Sequence, residues 1–166
     1  MGYRDGNRYL EKKDSSFLIC YWLCEMKRGI NFYLDTSALV KLIRAEPETS
    51  ALEYYLDKAP VVSSALVRTE LLRAAHRSGD AGEIEKAEEL LERLVLMLPT
   101  MAMFDQAGHL GPPLMRSLDA IHLVSAAALG DDLQQLITYD QRMVEGASLL
   151  GISVAVPHGK GGGQSG

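Results

Sequence analysis

From Asn31 onward, the hydrophobic and polar positions fall into short blocks that alternate in kind. Residues 31–34 form a β-prone apolar run. The Asp35-Thr36-Ser37 that follows can cap a helix carrying Leu39, Val40, Leu42 and Ile43. A second helix is predicted over 48–57 and a strand over 61–63. Residues 65–77 have helical spacing and stop near Gly79. The Glu/Leu/Ala content of 81–94 predicts a helix, and 95–97 a short strand ended by Pro99. A helix over 100–110 is broken by Gly111-Pro112-Pro113, and 117–129 is apolar on nearly all sides, the mark of a buried helix. Residues 135–138 read as strand, 141–150 as helix and 152–156 as a last strand. Strands alternating with helices predict an α/β layer fold with a mainly parallel central sheet.

The 166 residues suffice for one domain with its own core, and an apolar share of 47% argues against a disordered chain. The longest N-terminal apolar run, 17–24, is far short of the ~20 residues that cross a bilayer. No secretory signal order is present, so a soluble, cytoplasmic protein is expected. Cys20 and Cys24 lack a second pair at zinc spacing and read as reduced and incidental. Three segments are expected: an N-terminal extension over 1–29, the domain over 30–157 and a flexible Gly-rich tail over 158–166.

The formal net charge of −5 excludes a generally basic nucleic-acid coat. Much of the acidic excess is one helix face, Glu83, Glu85, Glu88, Glu89 and Glu92, which solvation explains. The acids that stand singly in apolar surroundings are more informative. Asp35 and Asp140 each follow a predicted strand, at the sheet edge where open α/β folds bind ligands. Helix N-capping is the alternative for both. Glu70 shares a helical stripe with Leu66 and Ala74, so it needs a partner: a metal, a proton, or Arg73 and Arg77 on its own helix. Asp119 is the only charge between Ser117 and Gly130. His122, three residues on, reads first as a packed core histidine and second as a neighbour in a site.

Asp35, Glu70, Asp119 and Asp140 are therefore candidates for one place. Four crowded anions repel unless a cation sits among them, and oxygen-only donors favour Mg²⁺ or Mn²⁺ over Zn²⁺. Such sites are suited to phosphoryl transfer.

These residues also carry a resemblance. Tyr33-Leu34-Asp35-Thr36-Ser37-Ala38-Leu39-Val40-Lys41-Leu42, Ser63-Ser64-Ala65-Leu66-Val67-Arg68-Thr69-Glu70-Leu71, Arg116-Ser117-Leu118-Asp119-Ala120-Ile121-His122-Leu123 and Ile137-Thr138-Tyr139-Asp140-Gln141-Arg142-Met143 occur in order. Together they resemble PIN-domain ribonucleases, above all the VapC-like toxins of toxin–antitoxin pairs. The resemblance implies a three-layer α/β/α sandwich with the four acids at its carboxyl edge. It implies a Mg²⁺-dependent endoribonuclease (Mn²⁺ also serving) that hydrolyses RNA through activated water, leaving 3′-hydroxyl and 5′-phosphate ends. Asp35 and Asp119 would be the main metal ligands, with Glu70 and Asp140 binding directly or through water. Thr36, Ser37 and Thr138 would support them. Arg116, Lys41, Arg44, Arg68 and Arg142 would contact RNA. A VapB-like antitoxin, a homodimer and a transfer or ribosomal RNA loop as target are implied as well.

Family members usually begin close to the first strand, whereas some thirty residues precede it here. Phosphatases that use a strand-end Asp as nucleophile need a second Asp where this chain has Ser37. A receiver-type domain leaves Glu70 and Asp119 unexplained. The remaining alternative is a catalytically silent PIN-fold binding or scaffold module.

Overall fold

The computed structural model describes residues 31–57, 59–111 and 115–159. The expected 1–29 extension with its two cysteines, and the tail from residue 160, lie outside these residues.

Strand β1 (Asn31–Leu34) runs into helix α1 (Thr36–Ile43), and α2 (Thr49–Leu56) leads back to β2 (Val61–Ser64). Helices α3 (Val67–Ser78) and α4 (Ala81–Arg93) precede β3 (Val95–Met97). Then α5 (Met101–Gly108) and α6 (Ser117–Ala127) precede β4 (Leu133–Ile137), and α7 (Gln141–Leu149) precedes β5 (Val154–Ala155). Gly79 ends α3 at φ 75°, a left-handed conformation that costs glycine no Cβ clash. Among the described residues no helix is long and apolar enough to cross a membrane.

All strand pairs are parallel, in the order β3-β2-β1-β4-β5. The order reverses between β1 and β4, which makes the carboxyl ends of those two strands the switch point of the sheet. Side-chain alternation divides the core into two layers. Phe32, Leu34 and Ile137 meet α1, α2, α3 and α4 on one face. Tyr33, Val62 and Leu136 meet α6 and α7 on the other. The result is the three-layer sandwich expected, with a smaller cluster of Ala107, Ala120, Ile121 and Val124 between α5 and α6.

Every residue from Ala120 to Ala126 is buried, as the all-round apolar pattern of this helix predicts. Two strand starts differ from expectation by two residues. β4 starts at Leu133, two residues early, because Leu133 pairs with Asn31 across a register shift. β5 keeps only Val154–Ala155 in the ladder, since it pairs with β4 alone.

Candidate active site

Backbone turns at the switch point fix the first acid. Asp35 follows β1 and caps α1: Oδ1 accepts from Ala38 N–H at 3.0 Å and from the Ser37 hydroxyl at 2.7 Å. Its Oδ2 accepts from the Thr138 hydroxyl at 2.7 Å, which ties β1 to the end of β4. Capping and site placement are thus not alternatives for Asp35. Burial pushes its carboxyl above the ordinary aspartate range, against those three donors.

Asp140 is the N-cap of α7, accepting from Arg142 N–H at 2.9 Å. Arg142 Nη2 also reaches Oδ2 at 2.8 Å, and this pairing holds the carboxyl below its ordinary range. Thr138 joins the two strand-end acids, since its hydroxyl oxygen accepts from Asp140 N–H at 3.1 Å.

Glu70 comes from the first turn of α3, on the α1 side of the sheet edge. Its Oε2 accepts from the Thr36 hydroxyl at 2.8 Å and lies 2.8 Å from His122 Nε2. Burial by itself would raise this carboxyl, but the bonds from His122 and Thr36 outweigh it and leave Glu70 below the ordinary range. The partners foreseen on its own helix are replaced: neither Arg73 nor Arg77 forms an ion pair with it among the described residues. His122 is the core histidine expected, 3% exposed, and also a neighbour of the acids.

Asp119 lies in the first turn of α6. Its Oδ2 is buried and has no hydrogen-bond donor among the described residues. Burial raises this carboxyl, and the nearby charge of Asp140 raises it further. A buried, unpartnered carboxylate oxygen beside a second carboxylate is what a cation would relieve. The other donors at this edge are also hard oxygens, which suit Mg²⁺ or Mn²⁺. As the side chains stand, no three acidic, imidazole or thiol groups among the described residues are gathered around one point.

The basic candidates divide. Lys41 is engaged by Glu46 at 2.6 Å and Glu48 at 3.0 Å, and lies 4.7 Å from the centre of the Tyr139 ring. Arg44 binds Glu83 at 2.8 Å and the Ala74 carbonyl at 2.9 Å. Arg142 is held by Asp140. Arg68 and Arg116 are exposed and form no ion pair among the described residues. Arg116 directly precedes α6, close enough for its charge to draw the carboxyls of Asp119 and Asp140 down.

Sequence comparison adds the lineage. The profile of the PIN domain matches residues 32–148. The chain belongs to the PIN-domain family. Two curated relatives from Mycobacterium tuberculosis support the assignment. Ribonuclease VapC46 is 45% identical over 126 residues, covering 75% of this chain and 96% of the relative. Ribonuclease VapC47 is 39% identical over 130 residues, with the same coverage. Among solved structures, VapBC2 from Rickettsia felis, bound to a promoter DNA fragment, aligns with a TM-score of 0.58 at 17% identity, over 75% of this chain and 97% of that one. Mycobacterium tuberculosis VapC20, a toxin that cleaves the sarcin–ricin loop, aligns with a TM-score of 0.55 at 17% identity, over 69% and 93%. Those two structures share the fold of this PIN domain.

Tyr33 and Ser64 were not foreseen as parts of the site, although both stand in the quoted motifs. They enter through hydrogen bonds beneath its surface. Ser64 N–H donates to the Tyr33 hydroxyl at 3.1 Å, and that hydroxyl lies 2.8 Å from His122 Nδ1.

Proposed function

We propose that this PIN domain is a metal-dependent endoribonuclease and the toxin of a toxin–antitoxin pair. One observation supports the metal: Asp119 Oδ2 is buried with no donor among the described residues, beside the charge of Asp140 at the end of β4. The relatives named as ribonucleases, matched over nearly their whole length, make RNA the substrate class.

Asp35 and Asp119 would hold the ion, with Glu70 and Asp140 assisting directly or through water. When bound, Mg²⁺ or Mn²⁺ supplies Lewis-acid chemistry, activating water and neutralising phosphate charge. The chain's own residues do the positioning. Ser37 and Thr138 keep the Asp35 carboxylate oriented, and Thr36 does the same for Glu70. Arg142 limits the repulsion between Asp140 and Asp119. Arg116 and Arg68, exposed and in no ion pair among the described residues, would meet the RNA backbone as sequence-independent phosphate contacts. The enzyme would act in the cytoplasm, under control of a VapB-like antitoxin. Solved relatives of the same fold include VapBC complexes, such as the one from Rickettsia felis.

The test is cleavage of end-labelled transfer RNA and ribosomal RNA by the purified protein with Mg²⁺, with Mn²⁺ and with EDTA. Discrete fragments that need metal and vanish in Asp119→Asn are the expected result. Cleavage that survives both EDTA and the substitution would refute the mechanism.

A further inference from the structure

Behind the acidic edge, a line of hydrogen bonds runs through the core to a single carboxylate oxygen. Ser64 N–H donates to Tyr33, Tyr33 meets His122 Nδ1 at 2.8 Å, and His122 Nε2 meets Glu70 Oε2 at 2.8 Å. Tyr33 is fully buried and His122 nearly so, which keeps bulk water from competing for these bonds. The two rings stand edge to face, 5.9 Å apart at 75°, so packing as well as bonding fixes the imidazole plane.

The protons in this line can be assigned. An ionised carboxylate only accepts, so the nitrogen facing Glu70 carries a hydrogen in the neutral and the protonated ring alike. The amide of Ser64 only donates, and it occupies one lone pair of the Tyr33 oxygen. In the neutral ring the phenol proton goes to Nδ1, leaving Nε2–H as the tautomer. Thr36 donates to the same Oε2 at 2.8 Å, and no donor among the described residues bonds Oε1.

We propose that His122 is a positioning residue for Glu70, a donor anchored on the sheet through Tyr33 that holds Oε2 and leaves Oε1 to serve the reaction. The proposal rests on the reading of Glu70 as an acid of the nuclease site. The same helix α6 carries Asp119 and, one turn on, His122, so it supplies one acid and orients another contributed by α3.

The experiment uses the full chain and four variants: His122→Leu, His122→Gln, Tyr33→Phe and Asp119→Asn. In His122→Leu, kcat for metal-dependent RNA cleavage should fall about 10–100-fold, the usual effect of losing such an outer partner, with KM nearly unchanged. His122→Gln presents an amide N–H toward Glu70 and should regain most of that loss. Rescue by an amide is not expected if the ring serves only as packing. In the metal-free protein, ¹⁵N NMR of the His122 ring should place the proton on Nε2, and Tyr33→Phe should weaken that preference. A proton found on Nδ1 with Nε2 bare overturns the proposal. So does a folded His122→Leu that keeps wild-type kcat while Asp119→Asn is inactive, with the nuclease reading left intact. If Asp119→Asn is active, the nuclease reading itself fails and takes the proposal with it. Should His122→Leu not fold, Tyr33→Phe carries the comparison: a kcat unchanged from wild type, with the tautomer unchanged, overturns it.

Discussion

The Thr138 hydroxyl donates to Asp35 Oδ2 at 2.7 Å although the two residues stand 103 positions apart. The same oxygen accepts from Asp140 N–H, so one buried threonine spaces both strand-end acids. Thr138→Val keeps the shape and removes the donor, leaving a buried charge short of a bond. It should cost about 1–3 kcal/mol in chemical denaturation and lower RNA cleavage, whereas Thr138→Ser should preserve both. Wild-type stability in the valine variant would show that the bond contributes nothing.

Asp35 and Asp119 both hold their protons more tightly in the folded chain than the ordinary value of 3.8 allows. The native state therefore binds more protons than the unfolded one from about that pH up to the folded values. Stability of the metal-free protein should fall as pH rises through this window, with the penalty complete above it. Asp119→Asn removes its share, so the metal-free variant should melt higher than wild type at neutral pH. Mg²⁺ should raise the melting temperature of wild type and not of the variant. A variant that melts lower, or gains equally from Mg²⁺, contradicts the assignment of Asp119.

Glu70 has the opposite sign. Its folded carboxyl lies below the ordinary 4.5, so its stabilising contribution is present above that value and is lost as pH falls through the folded one. Glu70→Gln should flatten the acid limb of the stability profile, measured by urea unfolding across the range. An unchanged limb would mean that the bonds from His122 and Thr36 do not discriminate the charged form.

The basic residues should separate by experiment as they do in space. Among the described residues Arg68 and Arg116 form no ion pair, while Lys41 and Arg44 are held by Glu46, Glu48 and Glu83. Replacing Arg116 by Ala should weaken binding of the RNA and reduce the log–log salt slope by about 0.7–1. Lys41→Ala and Arg44→Ala should leave that slope alone and loosen the contacts of α1 with its neighbours. Equal slopes for all three substitutions would mean that RNA displaces the internal pairs.

Much of this was legible in the sequence because the signals were local. Strand-ending Asp35 and Asp140, the all-apolar α6 and the stop at Gly79 follow from patterns a few residues long. The partner of Glu70 was not legible. Helical spacing offered Arg73 and Arg77, but the carboxylate leans across to Thr36 on α1 and His122 on α6, contacts set by how three helices pack on one sheet edge. The two readings of His122, packed core histidine and neighbour of the acids, are both met. A histidine on an apolar helix reads as core, and nothing in sequence spacing places Tyr33 and Glu70 at its two nitrogens, 89 and 52 residues away. The basic residues looked alike in sequence for a related reason, since ion pairing depends on which acids the fold brings near.

Among the described residues, Asp140 differs from the other three acids in having a guanidinium partner. Arg142 contacts both of its oxygens, through Nε to Oδ1 at 3.3 Å and Nη2 to Oδ2 at 2.8 Å. Asp119, by contrast, has an oxygen with no donor among the described residues. A metal gains more from the bare carboxylate than from one whose charge is partly neutralised, so on the proposed reading Asp140 would take the outer place, through water. Asp140→Asn should therefore lower kcat by about tenfold, in the range for an outer partner, and Asp119→Asn by well over about 100-fold. Asparagine also caps α7 well, so the milder effect should not be masked by unfolding. Arg142→Ala should make Asp140 a stronger ligand and push the Asp119 carboxyl further up. That raises the pH at which the acid limb of activity begins. If Asp140→Asn is as damaging as Asp119→Asn, Arg142 must leave Asp140 when the ion and RNA bind, and the pairing seen here belongs to the resting state alone.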